Sequence, residues 1–246
     1  DVLKGENIIP GIKVDKGGKH LVGSLDEKIT EGLDGLGDRL SEYRDFGARF
    51  TKWRALIIIG PRTPSQYCMD ANAHALARYA VLSQEAGLVP IIEPEVLMDG
   101  EHDIDSCYEA TEATLREVFY QLGRQGVNLE CTLLKPNMVL SGKSAANRAS
   151  PDKVADKTIA CFKRVVPAAI PGVVFLSGGQ SDREAIVNLD AINRRAAEVG
   201  APWELSFSYG RGLQAAPLKE WSGQTANVAG AQYVFRQRAF LTSAAR

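Results

Sequence analysis

The sequence lacks any long apolar run. A membrane helix takes ~18 unbroken apolar residues, and the run Ala55–Ile59 has five. It lacks an excess of either charge, since 29 Lys and Arg stand against 30 Asp and Glu, a formal net charge of −1. The electrostatic footprint of a nucleic-acid or anionic-membrane binder is therefore missing. Cysteine is scarce: Cys68, Cys107, Cys131 and Cys161 stand alone, with no C-x-x-C pair. That is no disulfide framework, and reduced thiols in a cytoplasmic setting are expected. The first residues, among them Asp1, Lys4 and Glu6, are charged and lack the apolar core of a signal peptide. His20, His74 and His102 are isolated, without metal-ligand spacing, so no metal is expected. G-x-G-x-x-G, the P-loop and low-complexity linkers are all missing.

What is there is an ordinary globular composition, 45% apolar and 24% charged over 246 residues. Short apolar runs alternate with longer amphipathic segments. The runs are Ile8–Val14, Arg54–Ile59, Leu88–Ile92, Cys131–Leu134, Gly172–Leu176 and Glu204–Ser208. They read as strands of a buried parallel sheet. Helical spacing marks Asn72–Glu85 and Tyr108–Leu122. Ser150 before Pro151 starts a third helix, and Ser181 with Glu184 fits a capping box. Six strand–helix units predict an α/β fold.

A polar group recurs at the strand ends: Lys13, Lys52 with Arg54, Glu93, Lys135, Ser177 and Arg211. The spacing is close to 40 residues throughout, falling to 34 at the last step. One such residue per unit is the pattern of a (β/α)8 barrel with its site at the C-terminal face; a doubly wound sheet gathers its groups at one switch point. At ~40 residues per unit, eight units need ~320 residues, so the chain corresponds to six of eight. It is expected to form one incomplete TIM-barrel domain over residues 1–246, from the third strand to the eighth strand and its following helix.

Lys135 ends an apolar strand. Desolvation and a nearby cation lower a lysine pKa and free an amine that forms a Schiff base with a ketone. On this pattern alone Lys135 is either that nucleophile or a snorkelling rim lysine. Lys52 and Arg54 share one strand face and are either site cations or a solvated pair. Glu93, with Glu95 beside it, is either a general acid/base or an ion-pair partner for a rim lysine. Ser177-Gly178-Gly179 precedes a capped helix and Gly210-Arg211 follows the last run; both are either turns or an anion site.

Together the motifs Gly11–Gly17, Lys52-Trp53-Arg54, Glu93-Pro94-Glu95, Leu133–Asn137, Leu176–Ser181 and Ser206–Arg211 strongly resemble class I fructose-bisphosphate aldolase, as do Gly32–Leu36 and Asn72–Ala80. The resemblance runs in order along nearly the whole chain. It implies a metal-independent lyase of glycolysis and gluconeogenesis that reversibly cleaves fructose 1,6-bisphosphate to dihydroxyacetone phosphate and glyceraldehyde 3-phosphate. The only covalent group is an imine on Lys135, with no separate cofactor. By the same resemblance Glu93 shuttles protons and Lys52 supports iminium formation. Ser177, Gly178, Gly179, Ser208, Gly210 and Arg211 match the ketone-side phosphate site, and Lys13 and Arg54 the aldehyde-side one. A cytoplasmic homo-oligomer, commonly a tetramer, is implied. The alternatives are a non-catalytic phosphosugar-binding barrel fragment or another Schiff-base aldolase.

Two substitutions depart from the family pattern: Cys131 replaces a glycine and needs extra room, and Gly212 replaces an alanine and adds backbone freedom. More seriously, the family's first two β/α units, with the aspartate that handles the proton in cleavage, have no counterpart here, nor does the tail with its mobile tyrosine. The purified 246-residue polypeptide is thus expected to turn over fructose 1,6-bisphosphate poorly or not at all. A coupled assay showing near-normal turnover would overturn this.

Overall fold

The computed structural model describes residues 2–24 and 26–246, apart from the Lys4 side chain. After a short helix α1 (Val2–Gly5) come strands β1 (Gly11–Lys13), β2 (Gly18–His20) and β3 (Lys28–Thr30), then α2 (Leu36–Asp45), β4 (Phe50–Ile57) and α3 (Gln66–Glu85). β5 (Val89–Val96), α4 (Ile104–Arg124), β6 (Leu133–Leu134), α5 (Pro151–Val165), β7 (Gly172–Phe175) and α6 (Asp182–Glu198) follow. β8 (Glu204–Phe207), α7 (Arg211–Trp221) and α8 (Val228–Ala244) end the chain.

All six expected strands form, in one parallel sheet of order β1-β4-β5-β6-β7-β8. The helices from α3 to α6 pack each against its predecessor, and α7 and α8 pack on α6 and on each other. They form a single layer on one face of the sheet. That is the barrel arrangement, because a doubly wound sheet carries helices on both faces. Among the described residues β1 and β8 are the outer strands and do not pair with each other.

The alternation along β4 shows how the sheet is used. Thr51, Trp53, Ala55 and Ile57 are buried, while Phe50, Lys52, Arg54 and Leu56 stay half-open. The buried set faces α3: Trp53 stacks on Tyr79 with ring centroids 5.5 Å apart, and the Tyr79 and Thr51 hydroxyls are 2.8 Å apart. Lys52 and Arg54 must then point to the other, concave face. One large apolar cluster runs from Val14 to Ala245. Within it Phe162 of α5 stacks on Phe175 of β7 at 5.7 Å and meets Trp203 edge-on at 6.2 Å.

Several boundaries differ from the sequence expectation. β5 extends to Val96, so Glu93 and Glu95 lie inside the strand rather than after it. The run Cys131–Leu134 yields a two-residue strand, because Leu129–Cys131 is a 3-10 turn. α3 and α4 start earlier than their apolar periodicity, where Ser65 and Asp103 accept from the Cys68 and Ser106 N–H groups. Ser150 caps α5 as expected. Ser181 caps α6, but the Glu184 carboxylate does not close the box; it pairs with Arg148. The antiparallel hairpin β2–β3 has no counterpart in the sequence expectation, since its three-residue strands are too short and too polar to show a period of two. Cys131 is exposed, so its side chain crowds nothing. The Gly212 carbonyl is held by two bonds from the Arg238 guanidinium, at 2.9 and 3.0 Å, rather than left free.

Phe162→Ala should lower stability by ~3–5 kcal/mol, the usual cost of emptying an aromatic core site. Ser150→Ala should cost ~1 kcal/mol for a lost cap. Urea unfolding checks both, and equal costs would contradict this packing.

Candidate active site

Lys52, Arg54, Glu93, Glu95 and Lys135 meet on the concave face. β4 and β5 pair in register with Arg54 opposite Glu93, and Ile92 pairs with Leu134, one residue before Lys135. The Lys135 N–H continues the ladder, donating to the Ile92 carbonyl at 2.8 Å. Parity along each strand then turns all five side chains the same way.

Glu93 is the centre of the group and is 3% exposed. Its Oε2 accepts from Lys52 Nζ, and its Oε1 lies 3.2 Å from Lys135 Nζ. Arg54 Nε donates to Glu95 Oε2 at 2.5 Å. Three basic groups thus share two carboxylates, and a buried cluster with one surplus cation is costly. The cost falls on Lys135, which is only 8% exposed. Its pKa is lowered, first by burial and then by the Lys52 charge, against the pull of Glu93. Arg54 moves the other way: burial opposes its charge, but the hydrogen bond and charge of Glu95, with Glu93 and Asp15, hold it protonated.

Lys13 and Arg54 sit at one side of this group. Asp15, for which the sequence pattern suggests no role of its own, links them. Its Oδ1 accepts from Lys13 Nζ at 2.5 Å and from the Gly17 N–H at 3.0 Å, and its Oδ2 from the Arg54 N–H at 3.2 Å. Thr30 Oγ1 donates to the Arg54 carbonyl at 2.7 Å.

On the other side, β7 and β8 pair with Phe175 opposite Phe207, which sets the Ser177–Gly179 turn beside the Ser208–Arg211 turn. Gly178 and Gly179 take φ of +56° and +83°, which only glycine adopts without strain. Their N–H groups bond to nothing among the described residues. Gln180 fixes the turn: Nε2 donates to the Ser177 carbonyl at 3.0 Å, and Oε1 accepts from Asn188 at 2.7 Å. The Ser208 N–H bonds to the Phe175 carbonyl at 2.8 Å. Gly210 caps α7, and exposed Arg211 has no ion-pair partner among the described residues.

Sequence reasoning also misses Asn137. Its Oδ1 accepts from the Val96 N–H at 3.1 Å, and its amide donates to Thr111 Oγ1 at 3.0 Å, tying β5 to the segment after Lys135. The loops beyond interlock as well, with the Gly142 N–H on the His102 carbonyl at 2.8 Å. A Cβ at Gly142 would lie 2.4 Å from the Gly100 carbonyl oxygen. A signal for these residues exists, since Asp15, Asn137 and Gln180 all fall inside the motifs that carry the family resemblance.

A strand-end lysine poised beside a carboxylate on a β/α sheet describes a barrel lyase of the Schiff-base class. The comparisons give the family. The model of the glycolytic class-I fructose-bisphosphate aldolase family matches residues 1–246. A probable fructose-bisphosphate aldolase class 1 from Xanthomonas campestris pv. campestris is 56% identical over 238 residues, covering 96% of this chain and 70% of that protein. Fructose-bisphosphate aldolase 4, cytosolic, from Arabidopsis thaliana is 51% identical over 245 residues, covering 100% of this chain and 62% of that protein. Fructose-bisphosphate aldolase from Plasmodium falciparum, solved in complex with TRAP and a small-molecule inhibitor, superposes with a TM-score of 0.96 at 48% identity, covering 99% of this chain and 70% of that one. The chain belongs to the class I fructose-bisphosphate aldolase family, the metal-independent Schiff-base lyases of glycolysis.

The charge balance has a direct check. In an NMR titration of the reductively 13C-methylated protein, Lys135 should titrate below the ordinary lysine value of ~10.4. Its neutral fraction therefore rises at lower pH than that of a surface lysine. Lys52→Met, by removing a neighbouring cation, should move that midpoint upward. A Lys135 midpoint at the ordinary value would contradict the arrangement.

Proposed function

We propose that Lys135 is the nucleophile of an aldolase reaction on phosphorylated ketoses, carried by one observation: its amine lies 3.2 Å from a buried carboxylate that a second lysine also grips. The neutral Lys135 amine adds to the ketone carbon, forming a C–N bond. The ammonium proton passes by way of Glu93 to the alkoxide, giving the neutral carbinolamine, and a second proton, drawn from solvent and delivered by Glu93, goes to the hydroxyl, which leaves as water. The iminium that remains carries one positive charge where Lys135 had none. Lys52, tied to Glu93, keeps that carboxylate aimed at the reacting nitrogen throughout. The iminium then serves as the electron sink when the adjacent carbon–carbon bond breaks.

The Ser177–Gly179 turn, with Ser208, Gly210 and Arg211, holds the phosphate on the ketone half. Free N–H groups at a glycine turn beside an unpaired guanidinium support this assignment. Lys13 and Arg54 face the phosphate on the aldehyde half. We read residues 1–246 as one unit in this work, in a cytoplasmic protein. The cytosolic relative supports that location, and no helix among the described residues is long and apolar enough to cross a membrane. We place the protein in a homo-oligomer, a tetramer by the family resemblance.

Borohydride added with dihydroxyacetone phosphate should fix the ketose to Lys135, located by peptide mass spectrometry. Lys135→Met should abolish the adduct, and Glu93→Gln should slow its formation about a hundredfold or more. An adduct that persists in Lys135→Met would refute the assignment.

A further inference from the structure

We propose that Asp15 is a positioning residue that sets the preference for a bisphosphorylated over a monophosphorylated ketose. It acts through Lys13 and Arg54. This rests on reading those two cations as the aldehyde-side phosphate site.

β1 ends at Lys13, and the Val14 N–H makes the last ladder bond on this edge, to the Lys52 carbonyl at 3.0 Å. The next donor on β4, the Arg54 N–H, has no strand to pair with, and Asp15 Oδ2 takes it. The other carboxylate oxygen takes Lys13 Nζ, so one side chain ties the Lys13 ammonium to the backbone of Arg54, whose guanidinium Glu95 holds. The Asp15 side chain is 2% exposed and the Lys13 side chain 50%. The carboxylate is therefore fixed while the ammonium can leave it for an incoming ligand. A free lysine loses rotamer freedom when it is immobilised. Docked on Asp15, Lys13 has already lost part of it.

Exchange of the carboxylate for a phosphate dianion does not orphan Asp15. The Gly17 and Arg54 N–H groups still donate to it after Lys13 has gone. Thr30 holds the Arg54 carbonyl meanwhile, so the strand edge keeps its shape. Asp15 thus serves as a parking place for Lys13: its carboxylate keeps two backbone hydrogen bonds through the exchange, and only its carbonyl gives up the 3.1 Å bond from Lys13 Nζ. A ketose without the second phosphate never calls for that exchange, which makes this carboxylate a determinant of specificity.

The test compares two ketoses by borohydride trapping at Lys135 in the full 246-residue chain, so that it does not depend on carbon–carbon cleavage. Half-saturating concentrations are measured for fructose 1,6-bisphosphate and fructose 1-phosphate, and their ratio is the readout, in which a general weakening of the fold cancels. Asp15→Asn should shrink the bisphosphate's advantage about tenfold. Lys13→Met should do the same, and the double variant should lose no more than either, because the two act as one unit. A wild-type ratio in Asp15→Asn, or losses that multiply in the double variant, would overturn the proposal. Asp15→Ser removes the charge but keeps an acceptor, and it should behave as Asp15→Asn does. If neither variant folds, Asp15 belongs to the fold alone and the proposal fails. If neither ketose is trapped at Lys135 in the wild type, the imine reading fails first and takes this inference with it. If both are trapped and Lys13→Met keeps the full advantage, only the phosphate assignment and this inference fall.

Discussion

Glu93 is the constraint around which the site is arranged. A carboxylate buried this deeply is tolerable only when its oxygens are occupied, and here two amines occupy them. Those amines arrive from different strands, so the pairing also fixes how β4, β5 and β6 sit relative to one another. Three cations against two carboxylates cannot all stay charged without cost, and the pKa that falls is that of the most buried, Lys135, through burial first and the Lys52 charge second. Arg54 does not follow, because its guanidinium is effectively always protonated and Glu95 reinforces it.

Around this centre the fold supplies rigidity by side chains where the backbone ladder runs out. β1 and β6 are short, so they cannot align the functional residues by pairing alone. Asp15 and Thr30 extend the pairing of β4 beyond the end of β1. Asn137 does the same between β5 and the segment after β6, and Gln180 braces the turn after β7. Asp15, Thr30 and Asn137 bond to backbone of a neighbouring strand, each meeting a donor or acceptor of β4 or β5 beyond the ladder, while Gln180 bonds within its own turn.

Much of this is legible in the sequence. Six apolar runs become six parallel strands, and regular spacing of polar strand ends points to one rim. Alternation alone puts Lys52 and Arg54 on the same face. What escapes has too short a signal or none. The hairpin β2–β3 has three-residue polar strands, and the first turns of α3 and α4 lie before the three- and four-residue apolar spacing from which the helices are read. The sequence places Glu93 after its strand because the apolar run stops at Ile92, whereas pairing with β4 carries the strand on to Val96.

The sequence by itself determined the repeating unit, which residues share a strand face, and which residue types stand at the strand ends. These depend on period and on residue chemistry, which are local. Only the tertiary structure decided the partners: Lys52 and Lys135 on Glu93, Arg54 on Glu95, and Lys13 on Asp15. Apart from the last, these are contacts between residues 41 or 42 positions apart in the chain. They follow from the stagger of parallel strands in the sheet, a property no single strand carries in its own residues. The pKa of Lys135 is lowered by burial first and by the Lys52 charge second, against the raising pull of Glu93. The residue type and its strand-end position mark Lys135 as a candidate nucleophile, but the burial and the neighbouring Lys52 that lower its pKa come only with the folded sheet.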